Sequence, residues 1–332
     1  MSRPARILVR LPNWLGDALM ARPLLHGLRH AHPSAEIRAV GPAPLLALLE
    51  VERTFDAGEP WPAAALARRA LTQRLRTWGP EAALVLPFSF SSARFARGTG
   101  AAMRVGYGHE LRSFMLTHPR RRRSLGELHL SREYLALGEP LGVVPVPLPV
   151  LATTPAGRAA ADALVARAAP GGRAFAVMAP RSAYGPARQW PAERFAALAR
   201  ALSADGRAVL VCGTAGERET CVAVADQAGP GVQSVAGETD LPALAALVGR
   251  AAVAVCNDSG LAHLAAALGT PTVTLYGSTS SAWTAALGPR VRVLQRPPVC
   301  SPCFRRTCRI GYRCLTALEV EEVGRACREM AR

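Results

Sequence analysis

Short apolar runs alternate with stretches of helical periodicity along almost the whole chain. Eight of these runs predict strands, at residues 6–11, 36–40, 82–88, 103–107, 173–180, 207–213, 253–258 and 271–277. The runs are continuously apolar, which is typical of parallel strands in a sheet that helices cover on both faces. Helices are predicted between them, near residues 18–31, 63–77, 191–204, 217–228, 240–249 and 260–268. This alternation predicts an α/β fold.

A segment rich in proline and glycine divides the alternation into two halves. Residues 140–157, PLGVVPVPLPVLATTPAG, carry five prolines and two glycines, which indicates an interdomain linker. The chain of 332 residues also suits two domains, each of about 150 residues. We therefore predict two Rossmann-like domains, residues 1–150 and 151–332, whose parallel sheets face each other across a cleft.

The charge of the chain indicates an anionic partner. Forty arginines, no lysine and 24 acidic residues give a net charge of +16. The exclusive use of arginine indicates a compositional bias, but the excess still favours nucleic acid, anionic lipid or a nucleotide as partner. We find no run of the roughly 18 apolar residues that a membrane span needs. The basic start of the chain also lacks the pattern of a signal peptide, so we expect a cytoplasmic protein.

The stretch PNWLGDAL, residues 12–19, follows the first predicted strand. Ligands of parallel α/β sheets bind beyond the carboxyl ends of the strands, which is where Asp17 lies. Asp17 is either a general base that takes a proton from an acceptor hydroxyl or the N-cap of the next helix. Gly16 lets the backbone turn tightly or approach a ligand closely. The stretch lacks the G-x-G-x-x-G pattern, which weighs against a dinucleotide oxidoreductase.

A second stretch of this kind, NDSGLAH, follows the strand predicted at 253–258. Asp258 and Ser259 precede Gly260 at the start of a helix, where free N–H groups can bind a diphosphate. The alternative is an ordinary capped helix, with His263 packed inside the domain.

Two further loops of the second half follow strands. In APRSAYGPARQWP, Arg188 either holds a phosphate through a bidentate contact or is a solvated surface residue. In CGTAGERE, Thr214, Glu219 and backbone groups are candidates for contact with the base or ribose of a nucleotide.

Three of these stretches, PNWLGDAL, GPARQWP and NDSGLAHLAAALGTPTVTLYG, together resemble glycosyltransferase family 9. This family comprises the heptosyltransferases that build the inner core of lipopolysaccharide, and the similarity is greatest to the heptosyltransferase II branch. The resemblance spans nearly the whole chain in order. It implies a GT-B fold, an acceptor-binding first domain, a second domain that binds the ADP-sugar donor, and catalysis without a metal cofactor.

The resemblance also implies roles for individual residues. It makes Asp17 the catalytic base and Arg188, where the family usually has lysine, a contact of the donor phosphates. The donor-binding block of the family falls on Asp258, Ser259, Gly260, Leu261 and His263. The implied reaction is inverting transfer of L-glycero-D-manno-heptose from ADP-heptose to heptosyl-Kdo2-lipid A, at the cytoplasmic face of the inner membrane. A related transfer with another nucleotide sugar or acceptor is the alternative.

Four cysteines near the C-terminal end have the spacing C-x2-C-x4-C-x5-C: Cys300, Cys303, Cys308 and Cys314. The spacing is typical of a structural zinc site, and the alternative is a set of reduced or partly bridged thiols. We expect a terminal helix after this segment, residues 300–314. A zinc-containing nucleic-acid-binding protein is an alternative of another class. Because the arginines are spread over both halves and aromatic residues make up only 5%, we expect no nucleic-acid partner.

The densest run of charge is HPRRRRSLGELH, residues 118–129, which contains Arg120, Arg121, Arg122 and Arg123. These arginines either form a solvated loop or contact phosphates of a lipid-linked acceptor or of the anionic membrane surface.

Overall fold

A computed structural model describes residues 3–109, 111–122, 124 and 126–332. The chain divides into two compact units, Met1–Pro149 and Val150–Arg332, and each unit is built on one six-stranded sheet. Neighbouring strands pair in parallel in both sheets. The predicted α/β class with two parallel sheets is therefore confirmed.

The first unit has the strand order β3-β2-β1-β4-β5-β6. Its strands are β1 Arg6–Arg10, β2 Glu36–Gly41, β3 Ala57–Pro60, β4 Ala82–Val85, β5 Met103–Tyr107 and β6 His118–Arg120. Its helices are α1 Leu15–Met20, α2 Arg22–Ala31, α3 Ala43–Leu49, α4 Ala65–Trp78, α5 Phe90–Gly98 and α6 Leu130–Ala136. The order of the strands reverses between β1 and β4, and such a switch point is where open α/β sheets bind ligands.

The second unit repeats this topology, with the strand order β12-β11-β10-β7-β8-β9. Its strands are β7 Phe175–Ala179, β8 Ala208–Val211, β9 Val232–Ser234, β10 Val253–Asn257, β11 Thr272–Tyr276 and β12 Val291–Gln295. Its helices are α7 Pro155–Ala168, α8 Ala192–Ala204, α9 Arg218–Ala228, α10 Leu241–Val248, α11 Gly260–Ala267, α12 Ser281–Thr284, α13 Arg313–Thr316 and α14 Val320–Met330. Here the switch point lies between β7 and β10.

The central strands of each sheet are buried and form the centre of the hydrophobic core of their unit. In the second unit, β7, β8, β10 and β11 are buried along their whole length. The fully buried Trp190 packs edge to face against Phe195 of α8, with ring centroids 5.1 Å apart. Burying one large apolar side chain contributes about 1.5–3 kcal/mol, so this packing fixes the start of α8 and the loop that precedes it.

The sequence did not predict the outer strands of either sheet. β3, β6, β9 and β12 are short or partly exposed, and their residues lack a continuous apolar run. Part of the predicted linker also differs, since α7 begins at Pro155 and is capped by Thr154, whose Oγ1 accepts a hydrogen bond from Gly157 N. Proline suits the first turn of a helix because the N–H that it lacks would have no partner there.

Within the described residues, the helices are all too short or too polar to cross a bilayer.

Candidate active site

Asp17 lies seven residues beyond the end of β1, in the helix that follows this strand at the carboxyl edge of the first sheet. It occupies the first turn of α1 and is partly exposed, while Trp14 takes the N-cap position. Asp17 is therefore not the cap residue of this helix. Gly16 also belongs to α1 and is not among the glycines with positive φ. Its conformation is open to any residue, so a close approach to a ligand stays a prediction.

Tyr134 lies near Asp17 and belongs to a pair of stacked aromatic rings. Tyr134 of α6 is 1% exposed; burial raises the pKa of its phenol, and the charge of Asp17 raises that pKa further. Tyr134 stacks on Phe88, which follows β4, with ring centroids 6.2 Å apart and an interplanar angle of 14°. Because β1 and β4 are neighbours, Asp17 and Phe88 both lie at the switch point of the first sheet.

The arginine run begins with Arg120, the last residue of β6, and turns partly inward. Arg122 donates from Nε to Glu133 Oε2 at 2.9 Å, and its Cζ lies 4.2 Å from the ring centroid of Phe88. Arg120 forms an ion pair with Glu139. Arg121 is exposed. Arg123 lies outside the described residues, so its predicted contact is not described here.

In the second unit, Arg188 and Asp258 form an ion pair at the switch point. Arg188 ends the 3-10 turn Pro186–Arg188 after β7, and Asp258 directly follows β10. Arg188 Nη1 lies 3.1 Å from Asp258 Oδ2, and the two side chains are 16% and 2% exposed. Arg188 is therefore not the solvated surface residue of the alternative interpretation.

The carboxylate of Asp258 is held by neighbouring side chains. Thr279 donates a hydrogen bond from Oγ1 to Asp258 Oδ2. Burial raises the pKa of Asp258, while the charge of Arg188 and the hydrogen bond from Thr279 oppose the rise. Tyr276 also lowers this pKa, but the net direction is upward, so burial outweighs all three partners. Because the charge of Arg188 opposes the rise, loss of that charge would raise the pKa of Asp258 further.

The N-terminus of α11 adjoins this ion pair. Ser259 is its N-cap and Gly260 its first residue, but the Ser259 side chain makes no capping hydrogen bond. In the part of the chain that the structure describes, three buried atoms near the pair have no hydrogen-bond partner: Ser259 Oγ, Ser278 Oγ and Arg188 Nε. Buried polar atoms are almost always hydrogen-bonded in native proteins. These donors are therefore available to a ligand that accepts hydrogen bonds, such as an anion.

The other predicted donor-binding residues lie nearby or in the next loop. Leu261 and His263 are buried in the first turns of α11. In the loop after β8, Thr214 forms a capping box with Glu217, whose Oε2 accepts from Thr214 N at 2.8 Å. Glu219 is exposed on α9. Contact of these residues with a nucleotide stays a prediction.

Two residues of this region were not predicted from the sequence, Asn257 and Tyr184. Asn257 is fully buried at the end of β10, accepts from Trp190 N at 2.9 Å and donates to Pro180 O at 2.8 Å. Asn257 thereby links the loop after β7, which carries Arg188, to the loop after β10, which carries Asp258. Asn257 stands just before D-S-G in the sequence, which was the available signal. The ring of Tyr184 lies under the guanidinium of Arg188, with Cζ 3.8 Å from the centroid.

The four cysteines of residues 300–314 differ in burial. Cys300 is exposed, Cys303 and Cys308 are partly exposed, and Cys314 is buried. Cys308 Sγ accepts hydrogen bonds from Ile310 N and Tyr312 N at 3.4 and 3.3 Å, and these bonds lower the pKa of its thiol. Among the described residues, however, no three His, Cys, Asp or Glu side chains are arranged to hold a metal ion.

A family model for glycosyltransferase family 9 (heptosyltransferase) matches residues 68–313. The chain belongs to glycosyltransferase family 9.

Individual members of family 9 resemble this glycosyltransferase over most of its length. It is 30% identical over 307 residues to lipopolysaccharide heptosyltransferase 2 of Escherichia coli, covering 87% of this chain and 88% of the relative. It is 29% identical over 305 residues to lipooligosaccharide heptosyltransferase 2 of Haemophilus influenzae, with the same coverage. The structure of E. coli ADP-heptose LPS heptosyltransferase II matches with a TM-score of 0.83, 28% identity and 98% coverage of both chains. The predicted GT-B fold is thereby confirmed.

The ion pair of this family 9 glycosyltransferase predicts a pH-dependent loss of stability. In Arg188→Met the buried Asp258 loses its counter-charge, so its pKa rises further above the ordinary value. A folded-state pKa above the unfolded one means that stability falls as pH rises through it. We expect the variant to lose about 3–5 kcal/mol at pH 7 and clearly less at pH 5, measured by urea denaturation.

The matched control is the double variant Arg188→Met/Asp258→Asn, which removes the buried charge. We expect it to be more stable than Arg188→Met at pH 7. An equal loss at both pH values, or no recovery in the double variant, would show that the pair carries no such energy.

Proposed function

We propose that this glycosyltransferase transfers L-glycero-D-manno-heptose from ADP-heptose to heptosyl-Kdo2-lipid A, with inversion at C1. The donor is suggested by the E. coli structure described above, an ADP-heptose LPS heptosyltransferase. The acceptor class is suggested by the relatives, which are lipopolysaccharide and lipooligosaccharide heptosyltransferases.

One observation carries this proposal. Arg188 and the N-terminus of α11 meet at the switch point of the second sheet, with buried hydrogen-bonding atoms that lack a partner among the described residues. A diphosphate supplies the oxygen atoms that such a site lacks, and the positive end of the helix dipole favours its charge. We assign the donor diphosphate to Arg188, Ser259 and Gly260. Asp258 acts through Arg188, since its own carboxylate would repel a phosphate.

Asp17 supplies the base. As the acceptor oxygen forms its bond to C1 of the heptose, the hydroxyl proton passes to the Asp17 carboxylate. The bond from C1 to the phosphate oxygen breaks on the opposite face, and its electron pair leaves with ADP. Charge therefore accumulates on the diphosphate.

The leaving ADP is stabilised by Arg188 and the N–H groups of α11, because fixed charges and dipoles at the site of developing charge lower the barrier. In this proposal no catalytic metal ion is needed, since the chain itself supplies the positive charge.

A donor panel tests the function. With heptosyl-Kdo2-lipid A as acceptor, we expect ADP-heptose to be used about 10²-fold or more faster than UDP-, GDP- or dTDP-sugars. Kdo2-lipid A without heptose is the control acceptor and should give little product. Preference for another nucleotide sugar, or equal use of both acceptors, would replace this assignment.

Asp17→Asn tests the base. The amide cannot accept the proton, so turnover should fall about 10²–10⁴-fold. ADP affinity should stay unchanged, because Asp17 belongs to the other unit than the phosphate site. Asp226→Asn, the same exchange at an exposed position of α9, is the matched control. Normal turnover in Asp17→Asn would remove the base role.

The proposed acceptor is anchored in a membrane, so the enzyme would act at the cytoplasmic face of the inner membrane. Because Arg120 and Arg122 are paired within the first unit, we extend the proposed membrane contact from Arg121 to the outer face of α5. There Phe90 is 43% exposed and Phe114 is 65% exposed, and the centroids of their rings lie 6.5 Å apart. Arg94 and Arg97 continue this face at helical spacing and are exposed. Aromatic and cationic groups together favour an anionic bilayer surface.

Vesicle binding tests this surface. Each basic residue near an anionic bilayer contributes about 1 kcal/mol, so Arg94→Gln/Arg97→Gln should weaken binding to anionic vesicles about 25-fold. Arg69→Gln/Arg76→Gln on the exposed side of α4 carries the same charge change and should bind nearly as wild type. Both variants should keep normal turnover on a delipidated acceptor. Equal binding by the two variants would remove α5 from the contact.

A structural zinc ion at Cys300, Cys303, Cys308 and Cys314 is a separate part of the proposal. The two N–H donors on Cys308 Sγ suit a thiolate ligand, although the four thiols are not gathered into a metal-binding arrangement. We expect about one zinc ion per chain by elemental analysis and its loss in Cys303→Ser, but not in the control Cys221→Ser. Metal-free protein after purification without chelators would leave only reduced or bridged thiols.

A further inference from the structure

The aromatic ring of Tyr184 supports the guanidinium of Arg188. Arg188 Cζ lies 3.8 Å from the ring centroid, while its Nη1 makes the ion pair with Asp258. A planar guanidinium can stack on an aromatic ring and still present its edge to a phosphate, which a lysine ammonium does not do. Stacking and the ion pair therefore fix both the plane and the direction of Arg188.

Tyr184 is in turn held by residues 303–306 of the cysteine-rich segment. The Tyr184 hydroxyl donates to the carbonyl oxygen of Phe304. Arg306 Nε donates to Tyr184 O at 2.7 Å, and Arg306 O accepts from Ala187 N at 3.0 Å. The segment thus contacts the Arg188 loop on both sides of Gly185.

The same residues are anchored to the sheet. Cys303 N and Phe304 N both donate to Ser278 O, at 3.0 and 2.8 Å, and Ser278 N donates to Ala187 O at 3.2 Å. Ser278 lies two residues beyond β11. The hydrogen bonds therefore form a closed network through three segments: the loop after β7 that carries Arg188, the end of β11, and the cysteine-rich segment.

The packing within this hydrogen-bonded network leaves no free space at Gly185. Its φ is +143°, and a Cβ added there would lie 2.7 Å from Arg306 O. Such a contact with a backbone atom forces either the segment around Gly185 or the segment around Arg306 to move.

We infer that Tyr184 is a positioning residue for Arg188 and that residues 303–306 hold Tyr184 in place. The cysteine-rich segment, which takes no part in the proposed chemistry, thereby sets the affinity for the donor diphosphate. This inference rests on the proposed function, because it takes Arg188 to be a phosphate ligand.

Isothermal titration of ADP binding tests whether the aromatic ring of Tyr184 positions Arg188. Loss of a desolvated cation–π contact should weaken ADP binding in Tyr184→Leu about 3–30-fold. Tyr184→Phe keeps the ring and the main-chain bonds, so it should stay within about threefold of wild type. Val299→Ala, at a fully exposed position near the same segment, is the control. Wild-type affinity in Tyr184→Leu, or equal losses in the Phe and Leu variants, would overturn the role of the ring.

A double-mutant cycle separates positioning from a general structural effect. If Tyr184 acts through Arg188, Tyr184→Leu should change ADP affinity less than about twofold in an Arg188→Met background. An effect as large as in wild type would overturn the inference. Should Arg188→Met alone bind ADP as wild type does, the phosphate assignment of the proposed function fails instead.

A pair of glycine variants tests the segment. Gly185→Ala should weaken ADP binding about tenfold or more, because the added Cβ displaces Arg306 from the loop. Gly229→Ala carries comparable backbone strain, because its φ of +91° and ψ of −156° lie in the same glycine-only region as the φ of +143° and ψ of 175° of Gly185. No atom lies within 4 Å of the Cβ added at Gly229, so the ADP affinity of this control should not change. Equal ADP affinities in the two variants would show that residues 303–306 do not support the Arg188 loop.

Discussion

A buried ion pair between the loops after β7 and β10 is the constraint on which the second unit depends. Asp258 is almost completely buried, and burial of a carboxylate is costly unless a cation and hydrogen bonds compensate it. Arg188 and Thr279 supply that compensation. The arginine that we propose as a ligand of the donor diphosphate is therefore fixed in place before any ligand arrives, and the cost of ordering its long side chain falls on folding rather than on binding.

Both units place their candidate residues at the same point of the same topology. In the first sheet Asp17 follows β1 and Phe88 follows β4, and in the second Arg188 follows β7 and Asp258 follows β10. Loops there can diverge without disturbing the sheet, because the parallel strands below are buried and paired on both sides. One topology thus supports a carboxylate beside aromatic rings in one unit and an arginine beside a helix N-terminus in the other.

Much of this was predictable from sequence, for a physical reason. Continuous apolar runs such as ILV in β1 identify central strands. Asp258 stands directly after such a run and Asp17 in the first turn of the helix that follows one, so their place at the carboxyl edge follows from the fold class. The outer strands were missed because they are partly exposed. The pairing of Arg188 with Asp258 was also out of reach, because the two residues are far apart in the chain and their contact depends on how two loops pack.

The support of Arg188 was hidden for a related reason. Nothing in the sequence distinguished Tyr184 from its neighbours in the loop. The spacing of the cysteines around Cys303 predicted a metal site or a set of thiols, but no contact with the loop that carries Arg188. Only the fold shows that main-chain bonds from this segment reach Ser278 and the Arg188 loop. Main-chain hydrogen bonds leave no mark on residue type, whereas the alternation of strands and helices does.

A crystal structure of the protein with ADP tests the central claim most directly. The account predicts diphosphate oxygens within hydrogen-bond distance of Arg188, Ser259 Oγ and the first N–H groups of α11, with the guanidinium still stacked on Tyr184. A diphosphate bound away from α11, with Arg188 paired only to Asp258, would contradict it.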